Sequence, residues 1–240
     1  MTDSALGKRQ LTLLSYNIHG GVGCDDRLDV DRVAGILRQQ DADIIGLQEV
    51  RNLPELPGAV APQLRYLAAS LGMEAISGPT LNSAGGNYGN ALLTRIAPKE
   101  VRRLDLSFPE REPRGALDVD FELEGGRIRL IVTHLGLRPA ERRYQVRCLV
   151  EAVAGKENCP VVLMGDLNEW FPPGRPARWL HRHFGRGPAP RTFPSAFPLF
   201  ALDRILVRPP AALVELRVLR SPQARIASDH LPLRATIALT

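Results

Sequence analysis

The chain has 240 residues, 44% of them hydrophobic, enough to bury a sizeable core in a single domain over 1–240. Its three cysteines, Cys24, Cys148 and Cys159, are odd in number and widely spaced, which argues against both a disulfide framework and a zinc site. The net charge of +5 is uneven: residues 171–240 hold eleven Arg against Asp203, Glu215 and Asp229, a net of +8, so the first 170 residues sum to −3. A basic final third points to acidic partners such as phosphate esters, nucleic acid or an anionic lipid surface. No apolar run approaches the length of a membrane span, and MTDSALGKRQ at the start lacks the apolar stretch of a secretory signal. A cytoplasmic monomer is expected.

In chain order, the run LTLLSYNI (11–18) is short, apolar and ends on polar residues, as a core strand does. DVDRVAGILRQQ (29–40) carries Val30, Val33, Ile36 and Leu37 on one face and predicts an amphipathic helix. DIIGLQEV (43–50) and NALLTR (90–95) read as further strands. ALDVDFELEGGRIRLIVTH (116–134) alternates on both sides of Gly125-Gly126 and predicts a hairpin. PAERRYQVRCLVEAVA (139–154) opens with a Pro suited to a first helical position. PVVLMGDLN (160–168), LDRILV (202–207) and RATIAL (234–239) complete the strands, and the mixture implies an α/β or α+β layered domain. Residues 170–202 break the pattern: five Arg, no acid, many Pro and seven of the thirteen aromatics read as a long functional loop. His181 and His183 within it read as solvated loop residues rather than ligands.

Polar residues collect at the strand ends: Asn17, Glu49, Asn90, His134, Asp166, Asn168, Asp203, Asp229 and His230. Singly, each has a structural explanation, such as an Asx turn at Asp166 and Asn168 or a turn at Asn17. Together they suit phosphoester chemistry, which needs a hard cation, an activated water and donors aimed at developing charge. Oxygen-bearing Glu49, Asn17 and Asp229 suit Mg²⁺. Asp166 could orient or deprotonate a water, and Asn168, two residues on in an extended segment, would face the same cavity. Asp203 or Asp229 could hold His230 in one tautomer and favour its charged form.

In this order and spacing, SYNIHG, GLQEV, THLG, VVLMGDLN, LDRILV and SDHLPL resemble the endonuclease/exonuclease/phosphatase superfamily of metal-dependent phosphohydrolases, over residues 11–239. The resemblance implies a DNase I-like four-layer α-β-β-α sandwich with its site at one rim of two packed sheets. It implies Glu49 as the principal metal ligand with Asn17 beside it and Asp229 nearby. Asp166 would align the water and Asn168 contact phosphate. Asp203 would pair with His230, while His134 would bind phosphate or serve the leaving group. Asn90 and Arg114 are phosphate-side candidates. His19 stands where several nuclease members carry Asp, which lowers the local negative charge and suggests a phosphate contact instead. The expected function is a Mg²⁺-dependent phosphodiesterase, Mn²⁺ being a possible substitute. Its substrate would be nucleic acid, phospholipid or a small diester, met through the basic aromatic segment 170–202. The alternatives are a phosphomonoesterase of the inositol-phosphate or nucleotide type, or a binding protein that keeps the fold without catalysis.

Overall fold

The computed structural model describes residues 10–52, 62–83, 86–124, 126–155, 159–171 and 174–239. One sheet is built from β1 (Gln10–Asn17), β2 (Ile44–Asn52), β3 (Glu74–Ser83), β4 (Gly86–Thr94), β10 (Leu213–Val218) and β11 (Leu233–Ala238). The other holds β5 (Pro98–Asp105), β6 (Gly115–Leu123), β7 (Gly126–His134), β8 (Val161–Asp166) and β9 (Asp203–Arg208). Their orders are β10-β11-β1-β2-β4-β3 and β5-β6-β7-β8-β9.

The apolar sequence runs explain the packing. Strand residues pointing inward from both sheets, among them Leu13, Ile44, Leu92, Val132, Met164 and Ile205, form the central core. The opposite faces of the same strands are also apolar and need cover. On the first sheet α1 (Val30–Arg38) and α2 (Gln63–Leu71) supply it, with α5 (Pro222–Ala227) packed against α1. On the second it comes from α3 (Pro139–Ala152) and α4 (Arg175–Phe184). The result is the expected four-layer sandwich. Gly46 lets the sheets approach closely, since a Cβ there would meet Met164 Cε at 2.6 Å.

The helices expected from 29 and 139 form, the first capped by Asp29, whose side chain accepts from Arg32 N, and the second beginning at Pro139. The hairpin at 116–134 forms as β6 and β7, closed by the pair Leu123 and Gly126; Gly125 lies outside the described residues. The expectation of an irregular segment over 170–202 needs correction. Pro176, Leu180 and Phe184 recur every fourth residue and bury one face of α4, while Arg178 and Arg182 stay exposed. His183 is half-buried and donates from Nε2 to Val153 O at 3.2 Å, so neither it nor half-buried His181 is a solvated loop residue.

Candidate active site

Strand direction explains why distant residues meet. In the second sheet β7 and β8 run parallel and β9 antiparallel, so the ends of the first two and the start of the third lie at one rim. The register sets His134 beside Asp166 and Asp166 beside Asp203. In the first sheet β1 and β2 are parallel and β11 antiparallel, which places Asn17, Glu49 and His230 at the facing rim. Glu49 is aimed by a β-bulge: Gln48 and Glu49 together oppose Asn90, and Glu49 adopts φ +59°. Gly165, at φ +142°, allows β7 and β8 to pair tightly, because a Cβ there would lie 1.8 Å from Thr133 O.

Asp166 is the hub. Its Oδ1 accepts the Asn168 N–H at 2.9 Å, and its Oδ2 accepts the Asn17 amide at 3.2 Å. His134 Nε2 and His230 Nε2 each lie 3.5 Å from Oδ2. Asn17 Nδ2 also donates to Glu49 Oε1 at 2.9 Å, so one amide joins the two sheets' carboxylates. Its Oδ1 accepts the His19 N–H at 3.1 Å. Asn168 turns at φ +49°, which lets its amide donate to Leu135 O at 2.9 Å while facing His134 Nε2 at 3.1 Å.

The two imidazoles are tuned in opposite directions. Burial alone would lower the pKa of His230, but Asp203, bonded to its Nδ1 at 2.8 Å, and then Asp166 and Asp229 raise it to about 10. Burial lowers His134 to about 4 despite Asp166. Donors also face both its nitrogens, Arg114 Nη1 at 3.3 Å from Nδ1 and the Asn168 amide at Nε2, which favours the neutral ring. Burial raises Asp166 above the ordinary carboxylate range, outweighing the imidazoles. For Glu49 burial acts the same way, but His134, the Asn17 amide and the Tyr88 hydroxyl prevail and hold its carboxyl below the usual value.

The remaining expected residues surround this cluster. Asp229 is half-buried, its Oδ1 stands 3.3 Å from Ser228 Oγ, and it lies close enough for its charge to act on His230. Asn90 and Arg114 meet at Gly115: Asn90 Nδ2 donates to Gly115 O at 2.9 Å, while its buried Oδ1 has no partner among the described residues. Arg114 pairs with Glu112 at 3.3 Å. His19 is exposed and lines, with Glu49, Arg51, Tyr88 and Glu112, an open cleft of about 470 Å³. Four contributors escaped the sequence reading. Tyr88 bonds Glu49. Thr192 donates from Oγ1 to Asp203 Oδ2 at 2.5 Å. Ser228 Oγ donates to Asn17 O at 2.8 Å and accepts His230 N–H at 3.2 Å. Phe193 covers His230 with ring centroids 4.8 Å apart. Only Ser228 carried a signal, its place beside Asp229 and His230.

Two sets of groups offer themselves to a cation. Ligand atoms of Asp166, Asp203 and His230 lie within 4.8 Å of one another. There the imidazole holds its proton, and a metal would have to displace it. Glu49, ionised and opening on the cleft, offers the hard carboxylate oxygens that Mg²⁺ prefers, with the Asn17 NH2 orienting one of them. The residues present therefore fit a divalent cation on the Glu49 side and a proton device on the other.

A family model described as the Endonuclease/Exonuclease/phosphatase family matches residues 14–230. The chain is 33% identical over 244 residues to YbhP of Escherichia coli, a protein described as uncharacterized, covering 95% of this chain and 96% of YbhP. It is 26% identical over 170 residues to exodeoxyribonuclease III of Haemophilus influenzae, covering 66% of this chain and 57% of that enzyme. The solved structure of an endonuclease/exonuclease/phosphatase from Beutenbergia cavernae matches with a TM-score of 0.76 at 23% identity, over 97% of this chain and 72% of that one.

Proposed function

The chain belongs to the endonuclease/exonuclease/phosphatase family of phosphoester hydrolases, and from that premise we propose that it is a Mg²⁺-dependent phosphodiesterase, with Mn²⁺ able to substitute. The observation that carries the reading is the convergence on Asp166 Oδ2 of two oppositely tuned imidazoles, with Asn17 linking the same oxygen to Glu49. A cation held by Glu49, with Asn17 and Asp229 nearby, would neutralise charge on the phosphate and its leaving oxygen.

Asp166 is the acceptor for a proton of the attacking water, and its raised pKa makes it a stronger base than an exposed carboxylate. The water oxygen bonds to phosphorus, the ester P–O bond breaks, and the departing alkoxide takes up a proton from solvent while Asp166 releases to solvent the one it accepted. Charged His230, oriented by Asp203, directs its Nε2–H at a non-bridging oxygen, where negative charge grows. Asn168 and neutral His134 position the phosphate from the second sheet, with Arg114, Asn90 and His19 as outer contacts. Of these phosphate-side groups only His230 and Arg114 are buried cations, which suits a singly charged diester better than a doubly charged monoester.

The test is hydrolysis of bis(p-nitrophenyl) phosphate and p-nitrophenyl phosphate with Mg²⁺, with Mn²⁺ and with chelator. The account expects the diester to be favoured by about tenfold or more and the chelator to abolish turnover. Preference for the monoester would transfer the site to phosphatase chemistry. No turnover of either would favour the non-catalytic alternative.

A further inference from the structure

An aromatic run leads outward from the proposed site. Phe193 lies 4.8 Å from the His230 ring, Trp170 lies 5.6 Å from Phe193, and Phe200 lies 4.9 Å from Trp170, centroid to centroid. It ends on side chains that the described residues leave uncovered: Phe200 is 39% exposed, Leu199 48%, Phe197 72%, and Phe171, next to Trp170 in the chain, 66%. A monomer rarely displays neighbouring large apolar groups without a partner. The segment is not a frayed loop. Phe200 N donates to Phe193 O at 2.8 Å, and Phe193 N to Phe200 O at 3.1 Å. Arg225 Nη1 donates to Ser195 O at 3.2 Å and to Ala196 O at 2.7 Å. The result is a braced tip, Ala196-Phe197-Pro198-Leu199, beside the site's mouth.

Charge of both signs lies around its base: Arg225 braces the tip and Arg220 Nη2 reaches Arg191 O at 3.5 Å, while Ser195 N donates to Asp229 O at 2.7 Å and Cys24, beside Asp25, faces Ser195 Oγ at 3.5 Å. An apolar tip with Arg191, Arg220 and Arg225 close to it in the fold complements a surface that is anionic outside and hydrocarbon beneath. Stacking of exposed Phe197 and Phe200 on a single-stranded nucleic acid is the competing occupant, and the oligonucleotide arm of the test separates the two. We propose that the tip docks into an anionic phospholipid bilayer and presents the rim to headgroup phosphodiesters. The docking stands apart from the chemistry, but the choice of a lipid diester as substrate rests on the phosphodiesterase reading above. The hydrolysis is the same, consuming one water and breaking one P–O bond, with the proton passing to the leaving alcohol.

The test is flotation of the full chain, without divalent metal, with vesicles of equal parts phosphatidylglycerol and phosphatidylcholine or of phosphatidylcholine alone. Wild type should float with the anionic vesicles only. The Phe197→Ser, Leu199→Ser double variant should bind them about tenfold or more weakly, while its kcat on bis(p-nitrophenyl) phosphate stays unchanged. A Phe197→Trp variant, which keeps the tip apolar, should show a blue-shifted emission on adding anionic vesicles, so the proposal remains testable if the double variant misfolds. Absence of flotation, equal flotation of both proteins, no shift at Trp, or tighter binding to a single-stranded oligonucleotide than to vesicles would overturn it. Flotation without turnover of the small diester by wild type would leave the docking standing and reject the hydrolase reading instead.

Discussion

His134 and His230 stand the same distance from Asp166 Oδ2, 3.5 Å, yet their partners set them apart by several pH units. Imidazole NMR of the metal-free protein should find His134 neutral and His230 charged throughout pH 5–8; both titrating near about 6.5 would refute the assignment. The linkage to stability follows. The pairing of His230 with Asp203 stabilises fully below about pH 6.5 and fades as the pH rises through about 10. His134 has the opposite effect: an unfolded chain takes up its proton first, so stability is lost as the pH falls below about 6.5 toward the folded value of about 4. In turnover, Asp203→Asn and His230→Ala should each cost on the order of 10² in kcat, and the double variant little beyond the worse single, since the pair acts as a unit. Additive losses would mean independent roles. Thr192→Val, which removes the hydroxyl bonded to Asp203 Oδ2, should cost roughly tenfold, the worth of one charge-assisted hydrogen bond.

At the scale of elements, the rim depends on the close pairing of β7 with β8, and Gly165 permits it. Gly165→Ala should destabilise by about 3 kcal/mol or more in urea unfolding, since it combines a disfavoured backbone with a contact of 1.8 Å to a carbonyl. An unchanged midpoint would show that the pairing tolerates a wider separation. The strands that carry the site were legible because core strands are apolar and end on polar residues, as SYN, VTH and MGD do here. Edge strands β5 and β10 were not, since KEVRR and VELR place charge where the sheet meets solvent. Helix α4 was hidden by its own composition: its buried stripe is only Pro176, Leu180 and Phe184, set among Arg and His that suggest a loop. Thr192, Tyr88 and Phe193 are common residue types with no motif around them, and only the folded chain brings them to Asp203, Glu49 and His230.

For the whole molecule, two facing sheets divide the labour: the first contributes Asn17, Glu49 and His230, the second His134, Asp166, Asn168 and Asp203. The family model over residues 14–230 includes strands of both sheets. The central claim is that Glu49 holds the cation on which hydrolysis depends. Its most direct test is the Mg²⁺ dependence of bis(p-nitrophenyl) phosphate hydrolysis by Glu49→Gln, with circular dichroism confirming the fold. The account predicts a folded protein whose Mg²⁺ requirement rises at least tenfold and whose rate falls on the order of a hundredfold. A folded variant with the wild-type rate and the wild-type Mg²⁺ dependence would contradict it.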